Sequence, residues 1–216
     1  MKQLKRIPAA VLPLVCFLCF AHPNAARAAA VLTDNAAFTA QLTPGYYVET
    51  FTGLLQGVQL PSTLAFTGGA SNAFSYNAVA TDNGGLYAQM GAGIVELATF
   101  SNGGALEFDF LGTNVTAVGG NFFSTDITGA PNGESITLLL SDGTRRTISS
   151  TSATSFMGFL SPGLHIVKLD VSPGEFDSYA TVSNFEVGAA VPEPATFGLL
   201  GTGLIAVVLL GKRLSR

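Results

Sequence analysis

Glu107 and Asp109 stand two residues apart in Leu106-Glu107-Phe108-Asp109-Phe110. On a β-strand alternate residues share a face, so the two carboxylates point the same way. Paired carboxylates can hydrolyse a glycosidic bond, one as acid and one as base or nucleophile. On an exposed strand face such a pair is more often simply solvated. The chain offers little else to a catalytic mechanism. Outside the leader its one histidine is His165, expected on a sheet face, and no Gly-x-Ser-x-Gly elbow occurs. His22, Cys16 and Cys19 fall in the N-terminal hydrophobic region. The Cys-x-x-Cys spacing there suggests redox or metal chemistry elsewhere but sits inside an apolar run. The expectation is a non-enzymatic protein without a resident cofactor.

Two kinds of binding chemistry are candidates. Asp82, Asn83, Asp109, Asp126, Asp170, Glu175 and Asp177 are oxygen donors near turns, the donor type that calcium takes six to eight of. No stretch has the pattern of an EF-hand loop or a glycine-rich repeat, so calcium is a candidate ion and the metal ligands are unassigned. Carbohydrate is the other candidate, since sugar faces stack on rings while amides and carboxylates read hydroxyls. Tyr46, Tyr47, Tyr76 and Tyr87 supply rings, and Asn72, Asn77, Asp82 and Asn83 supply polar groups. The ligand-binding set drawn from these is Tyr76, Asp82, Asn83 and Tyr87. The chain has no tryptophan, and its many phenylalanines are expected in the core. Asn114-Val115-Thr116 fits a glycosylation sequon, a pattern common by chance.

The elements that must carry these residues are short strands. Runs rich in Val, Thr, Phe and Tyr alternate with Gly, Asn, Asp and Ser clusters, at residues 46–51, 73–80, 94–100, 105–111, 115–123, 135–141, 144–149, 156–159, 164–171 and 179–187. Near Ile166-Val167 and again between Val182 and Phe185 the alternation loses phase, which calls for a bulge or burial on both faces. Asp142-Gly143 marks a hairpin of the type I′ kind. Only residues 33–42 suit a helix, capped by Thr33 or Asp34, with Phe38 and Leu42 on one face. Many short strands with almost no helix predict an all-β, two-sheet antiparallel sandwich of jelly-roll type. A closed barrel is the alternative, and a parallel β-helix lacks its repeat.

Between residues 31 and 190 the only basic side chains are Arg145, Arg146 and Lys168, against thirteen acidic ones, a balance of about −10 where the whole chain carries −4. Nucleic-acid binding needs clustered Lys and Arg, so this body is not expected to contact it. It contains no cysteine and cannot use disulfides.

The missing positive charge lies at the two ends. Lys2, Lys5 and Arg6 precede an apolar run from Ile7 to Phe20. Ala26-Arg27-Ala28 and Ala28-Ala29-Ala30 both offer small residues at cleavage positions. Residues 1–30 therefore resemble a secretory signal helix, with an uncleaved anchor as the alternative. Residues 191–216 form the other label. Pro192 and Pro194 impose an extended entry. The uncharged stretch Ala195–Leu210 follows, predicted to be a transmembrane helix though at 16 residues it is slightly short of the ~20 that span a bilayer. Lys212, Arg213 and Arg216 then favour the cytoplasmic side.

Pro192-Glu193-Pro194, the apolar stretch and the Lys212/Arg213 cluster, in that order, resemble the PEP-CTERM sorting signal of Gram-negative bacteria. The resemblance implies a substrate of exosortase, a membrane-embedded cysteine enzyme, that leaves through the Sec machinery, passes transiently through the inner membrane and ends at the envelope, outer surface or extracellular matrix. The body, residues 31–190, is similar to the exported sandwich domains that precede such signals, through Phe51-Thr52-Gly53, residues 117–123, Phe156-Met157-Gly158-Phe159 and Val182–Val187. Those domains commonly end in an Asp-Asn pair, and Ser183 takes the Asp place here. The expected function is a structural or adhesive protein of an exopolysaccharide-rich biofilm matrix. The alternative is a carbohydrate- or calcium-binding module at the cell surface.

Overall fold

The alternation in Leu106–Phe110 becomes a strand whose Leu106 and Phe108 are fully buried and whose Glu107 and Asp109 face outward. The same arithmetic builds the rest. The computed structural model describes residues 28–91 and 93–191; the expected signal helix, the expected transmembrane helix Ala195–Leu210 and the sorting residues Pro192, Glu193, Pro194, Lys212 and Arg213 lie outside the described residues. In chain order the elements are β1 (Ala30–Leu32), α1 (Asn35–Thr39), β2 (Tyr47–Glu49), β3 (Gln59–Leu60), β4 (Thr63–Gly68), β5 (Phe74–Ala80), β6 (Leu86–Gly91), β7 (Ile94–Thr99), β8 (Leu106–Phe110), β9 (Ala117–Thr125), β10 (Ile136–Leu140), β11 (Arg145–Ile148), β12 (Phe156–Leu160), β13 (Lys168–Pro173) and β14 (Tyr179–Gly188). Among the described residues no helix is long and apolar enough to cross a membrane.

The strands form two antiparallel sheets. One has eight strands in the order β1-β12-β9-β14-β7-β6-β3, with β2 also paired to β14. The other has six, β11-β10-β13-β8-β5-β4. The chain changes sheet at each connection from β7 to β10 and again from β11 to β14, so neither sheet is complete without the other.

The core lies between them. Tyr76, Phe108 and Phe110 come from the six-stranded sheet, Phe122 and Phe185 from the eight-stranded one. Phe185 touches all four, stacked on Phe108 and edge-on to Tyr76 and Phe122. A bulge aims it. Ser183 pairs with Asn121 and Glu186 with Gly119, so two residues of β14, Asn184 and Phe185, oppose Gly120 alone. Asn184 adopts φ 47°, a left-handed conformation that Asn tolerates better than most residues. The extra residue restores the phase lost between Val182 and Phe185, and both side chains point inward. It also marks a change of neighbour: before it β14 pairs with β7, after it with β2.

A smaller cluster closes the outer face of the eight-stranded sheet. Asp34 caps α1, its Oδ1 accepting from the Ala37 N–H at 2.7 Å. The helix lays Phe38 against Phe156, with Leu42, Leu160 and Ala190 around them. Gly119 and Gly158 make room for the ring: a Cβ at Gly158 would stand 2.3 Å from it.

Three expectations change. The β10–β11 turn is not type I′, because Gly143 has positive φ and Asp142 does not. Gly143 N–H bonds Leu140 O and Leu140 N–H bonds Thr144 O, which is a three-residue loop of type I turn plus a left-handed glycine. β13 starts at Lys168 rather than 164. Ile166 is buried from a loop, its N–H held by Val115 O, so the phase break there is the strand's end and needs no bulge. His165 accordingly lies exposed in that loop and not on a sheet face.

Candidate functional site

The outer face of the eight-stranded sheet is open where the α1 cluster stops. There a cleft of about 340 Å³ is lined by Tyr87, Gln89, Ala98, Phe100, Thr125, Asp126, Ile127 and Tyr179, with part of Thr99. Alternation along β6 turns Tyr87 and Gln89 away from the core while Leu86 and Ala88 face in. Tyr87 pairs in register with Ala98, and Ala98 with Thr181. The small Ala98 side chain therefore leaves a depression between Tyr87 and β14. Tyr179, the first residue of β14, sits opposite Thr125, the last of β9. Phe100 follows β7 and lies with its ring centroid 6.0 Å from that of Tyr87.

The loop after β9 forms the remaining wall. Asp126 Oδ1 accepts from Thr128 N–H at 2.8 Å, Thr128 Oγ1–H at 2.6 Å and Ala130 N–H at 3.1 Å. Those hydrogen bonds hold its carboxyl below the usual range. The knot lifts Ile127 into solvent, 85% exposed, and presses Gly129 onto Gln89. Gly129 has φ 81°, and a Cβ there would come 2.2 Å from the Gln89 amide. Gln89 in turn donates from Nε2 to Glu96 Oε2 at 3.4 Å. Glu96 is fully buried, and burial pushes its carboxyl up to about 7 against the lowering hydrogen bond of Gln89. The cleft thus combines aromatic faces, an amide, hydroxyls and one carboxylate.

Of Tyr76, Asp82, Asn83 and Tyr87, only Tyr87 lines this cleft; Asp126, an oxygen donor considered for calcium, lines it too. Tyr76 is corrected: it is fully buried, stacked on Phe66 and packed on Phe108 and Phe185, so no ligand reaches its ring from solvent. The alternation Phe74-Ser75-Tyr76-Asn77-Ala78 already pointed it inward. Asp82 and Asn83 are exposed in the β5–β6 turn, where Asp82 Oδ1 accepts the Gly84 N–H at 2.9 Å and Asn83 takes φ 57°. Tyr47 packs against Tyr76, and Asn77 lies across the other sheet, opposite Asp109. Phe100 and Phe176, taken as core from their type, are 44% and 81% exposed. Sequence reading missed Phe100, Ile127 and Tyr179 because two loops and the start of β14, not a motif, bring them together.

Glu107 and Asp109 do share the outer face of the six-stranded sheet, with Asp170 beside them. Lys168 Nζ donates to Glu107 Oε2 at 2.8 Å and lies 3.6 Å from Asp170 Oδ1. Burial raises the Glu107 carboxyl, but the hydrogen bonds and charge around it outweigh that and hold it low. Asp109 and Asp170 move up, through burial and the neighbouring Glu107. Among the described residues no three or more His, Cys, Asp and Glu side chains come together in a way that could hold a metal ion.

The cleft is at one end of the sandwich, and the chain's described ends are at the other. β14 runs from Tyr179 beside the cleft to Gly188, about 30 Å away at ~3.3 Å per residue. Beyond it Ala190 N–H bonds Thr116 Oγ1 at 2.8 Å, and Val191 N–H bonds Gln41 O at 2.8 Å. Residues 190–213 match the PEP-CTERM protein-sorting motif. The chain carries a PEP-CTERM sorting signal. The match begins at Ala190, within the last described residues of the body. The signal implies exosortase processing of an exported, membrane-transiting protein. No curated protein matches the chain.

Proposed function

We propose that this PEP-CTERM protein is an adhesive component of an extracellular matrix that holds exopolysaccharide in the cleft between Tyr87, Phe100, Ile127 and Tyr179. The observation that carries the reading is the cleft's place, at the end of the sandwich opposite Val191. A body tethered through its sorting segment, even briefly, turns that cleft away from the membrane. Aromatic faces flanked by Gln89, Thr125 and Asp126 suit a sugar, whose ring faces are apolar and whose edges are hydroxyls. The role we infer is non-enzymatic and needs no cofactor; Glu107, one half of the carboxylate pair, is engaged by Lys168. Export through the Sec route and delivery to the outer surface of a Gram-negative cell belong to the same reading.

The test is retention on polysaccharide purified from the producing cells, with Tyr87→Ala and Tyr179→Ala variants compared to the parent. The parent is retained, and each variant elutes early with an unchanged circular dichroism spectrum. A parent that passes through unretained, with and without calcium, removes the adhesive reading and leaves a purely structural one.

A further inference from the structure

The leader leaves two cut positions open, after Ala28 or after Ala30. The fold distinguishes them. Ala30 is the first residue of β1 and pairs with Leu160 of β12. Ala29 is 5% exposed and belongs to the main core cluster, whereas Ala28 is exposed. A cut after Ala30 would remove one of the three pairs that hold β1 and empty the place of a buried side chain. A cut after Ala28 leaves the buried Ala29 and all three pairs of β1 in place.

The atom that such a cut would free is already provided for. Ala29 N–H donates to Asp142 Oδ2 at 3.2 Å and to Thr144 Oγ1 at 3.1 Å, across 113 and 115 residues of sequence. Asp142 is the residue of the β10–β11 loop whose other oxygen, Oδ1, accepts the Thr144 N–H at 2.7 Å. That bond orients the carboxylate, and its second oxygen faces the Ala29 nitrogen. Opposite charges at such a distance, with partly buried geometry, give a charge-assisted hydrogen bond about twice as strong as a neutral one.

We propose that the exported chain is cut between Ala28 and Ala29 and that the new α-ammonium of Ala29 seats on Asp142 and Thr144, completing β1. Hydrolysis adds one water across the Ala28–Ala29 bond. Its hydroxyl goes to the Ala28 carbonyl carbon and its proton to the Ala29 nitrogen, which takes a second proton from solvent below its ordinary pKa of about 8. The enzyme required is the membrane peptidase that removes secretory leaders, acting on the chain before it folds. The buried seat makes the cut self-consistent, because the body folds around the terminus that the peptidase leaves.

The full precursor is expressed in a Gram-negative host, and the exported protein is analysed by N-terminal sequencing and intact mass. An N-terminus at Ala29 bears the proposal out. One at Val31 or beyond, or a retained leader, overturns it. The seat is tested separately with two refolded proteins, starting at Ala29 and at Ala28, each with and without Asp142→Asn. The substitution keeps the turn acceptor and removes the charge. It should lower the Tm of the Ala29 form distinctly more than that of the Ala28 form, and an equal loss in both overturns the ammonium seat.

Discussion

Phe185 stacks on Phe108 across the two sheets, ring centroids 4.0 Å apart and planes 19° from parallel. Both rings are fully buried, and Phe185 also meets Tyr76, Phe110 and Phe122, so it joins the aromatic groups of the two sheets. Removing it empties the contact between the sheets. Phe185→Ala should cost about 3–5 kcal/mol in urea unfolding, and Phe185→Leu distinctly less. A loss under ~1 kcal/mol for the alanine variant would mean that the sheets do not meet where the structure has them.

Asn184 makes that contact possible by taking the left-handed conformation of the bulge. Asn184→Gly should leave stability within roughly 0.5 kcal/mol, since glycine adopts this conformation freely. Asn184→Val should cost at least about 1–2 kcal/mol, because a β-branched residue resists it. Equal effects of the two substitutions, measured by chemical unfolding, would deny the bulge its role.

All ten strand regions expected from sequence contain strands, and the helix expected within residues 33–42 is capped by Asp34, one of the two candidate caps. What sequence made legible was alternation ended by turn residues, because a two-sheet core imposes a period of two. The strands it passed over lack that contrast. β1 is Ala-Val-Leu and merges with the small residues of the leader. β3 is only Gln59-Leu60. In β6 the inward Ala88 is too small to register beside Tyr87 and Gln89, and in β4 Leu64 and Phe66 are only half-buried. The sorting motif was legible, because it is a linear signal. The cleft was not, because Phe100 and Ile127 come from two separate connections, Tyr179 comes from the start of β14, and only the folded sheet joins them.

Glu96 makes stability depend on pH. Its carboxyl titrates near 7 in the folded chain against 4.5 ordinarily, because burial penalises the charge. Below about 4.5 both states hold the proton. From there to about 7 only the folded state does, so stability falls with rising pH. The full penalty, reached above that window, is roughly 3 kcal/mol. Glu186 is raised by burial too and acts with the same sign. Glu96→Gln should therefore gain on the parent between pH 5 and pH 8 in urea unfolding. An unchanged gap between the two at both pH values would show that Glu96 is ionised in the folded protein throughout.

Ile127 separates binding from stability. Its side chain stands in solvent on a loop fixed by Asp126, so Ile127→Ser should change unfolding by less than about 0.5 kcal/mol. The same change removes an apolar wall of the cleft and should weaken retention on the polysaccharide severalfold. Retention equal to the parent's would put the polymer contact elsewhere.

The central claim is that the segment after Val191 is an address for a body that folds without it. The measurement is cell fractionation of the full chain and of a chain ending at Val191, both expressed in the producing organism and detected with the same antibody against the body. The account predicts that the truncated chain is exported and folded but is lost from the envelope and matrix fractions, appearing as soluble material. Recovery of both forms in the same surface fraction, in the same proportion, would contradict it.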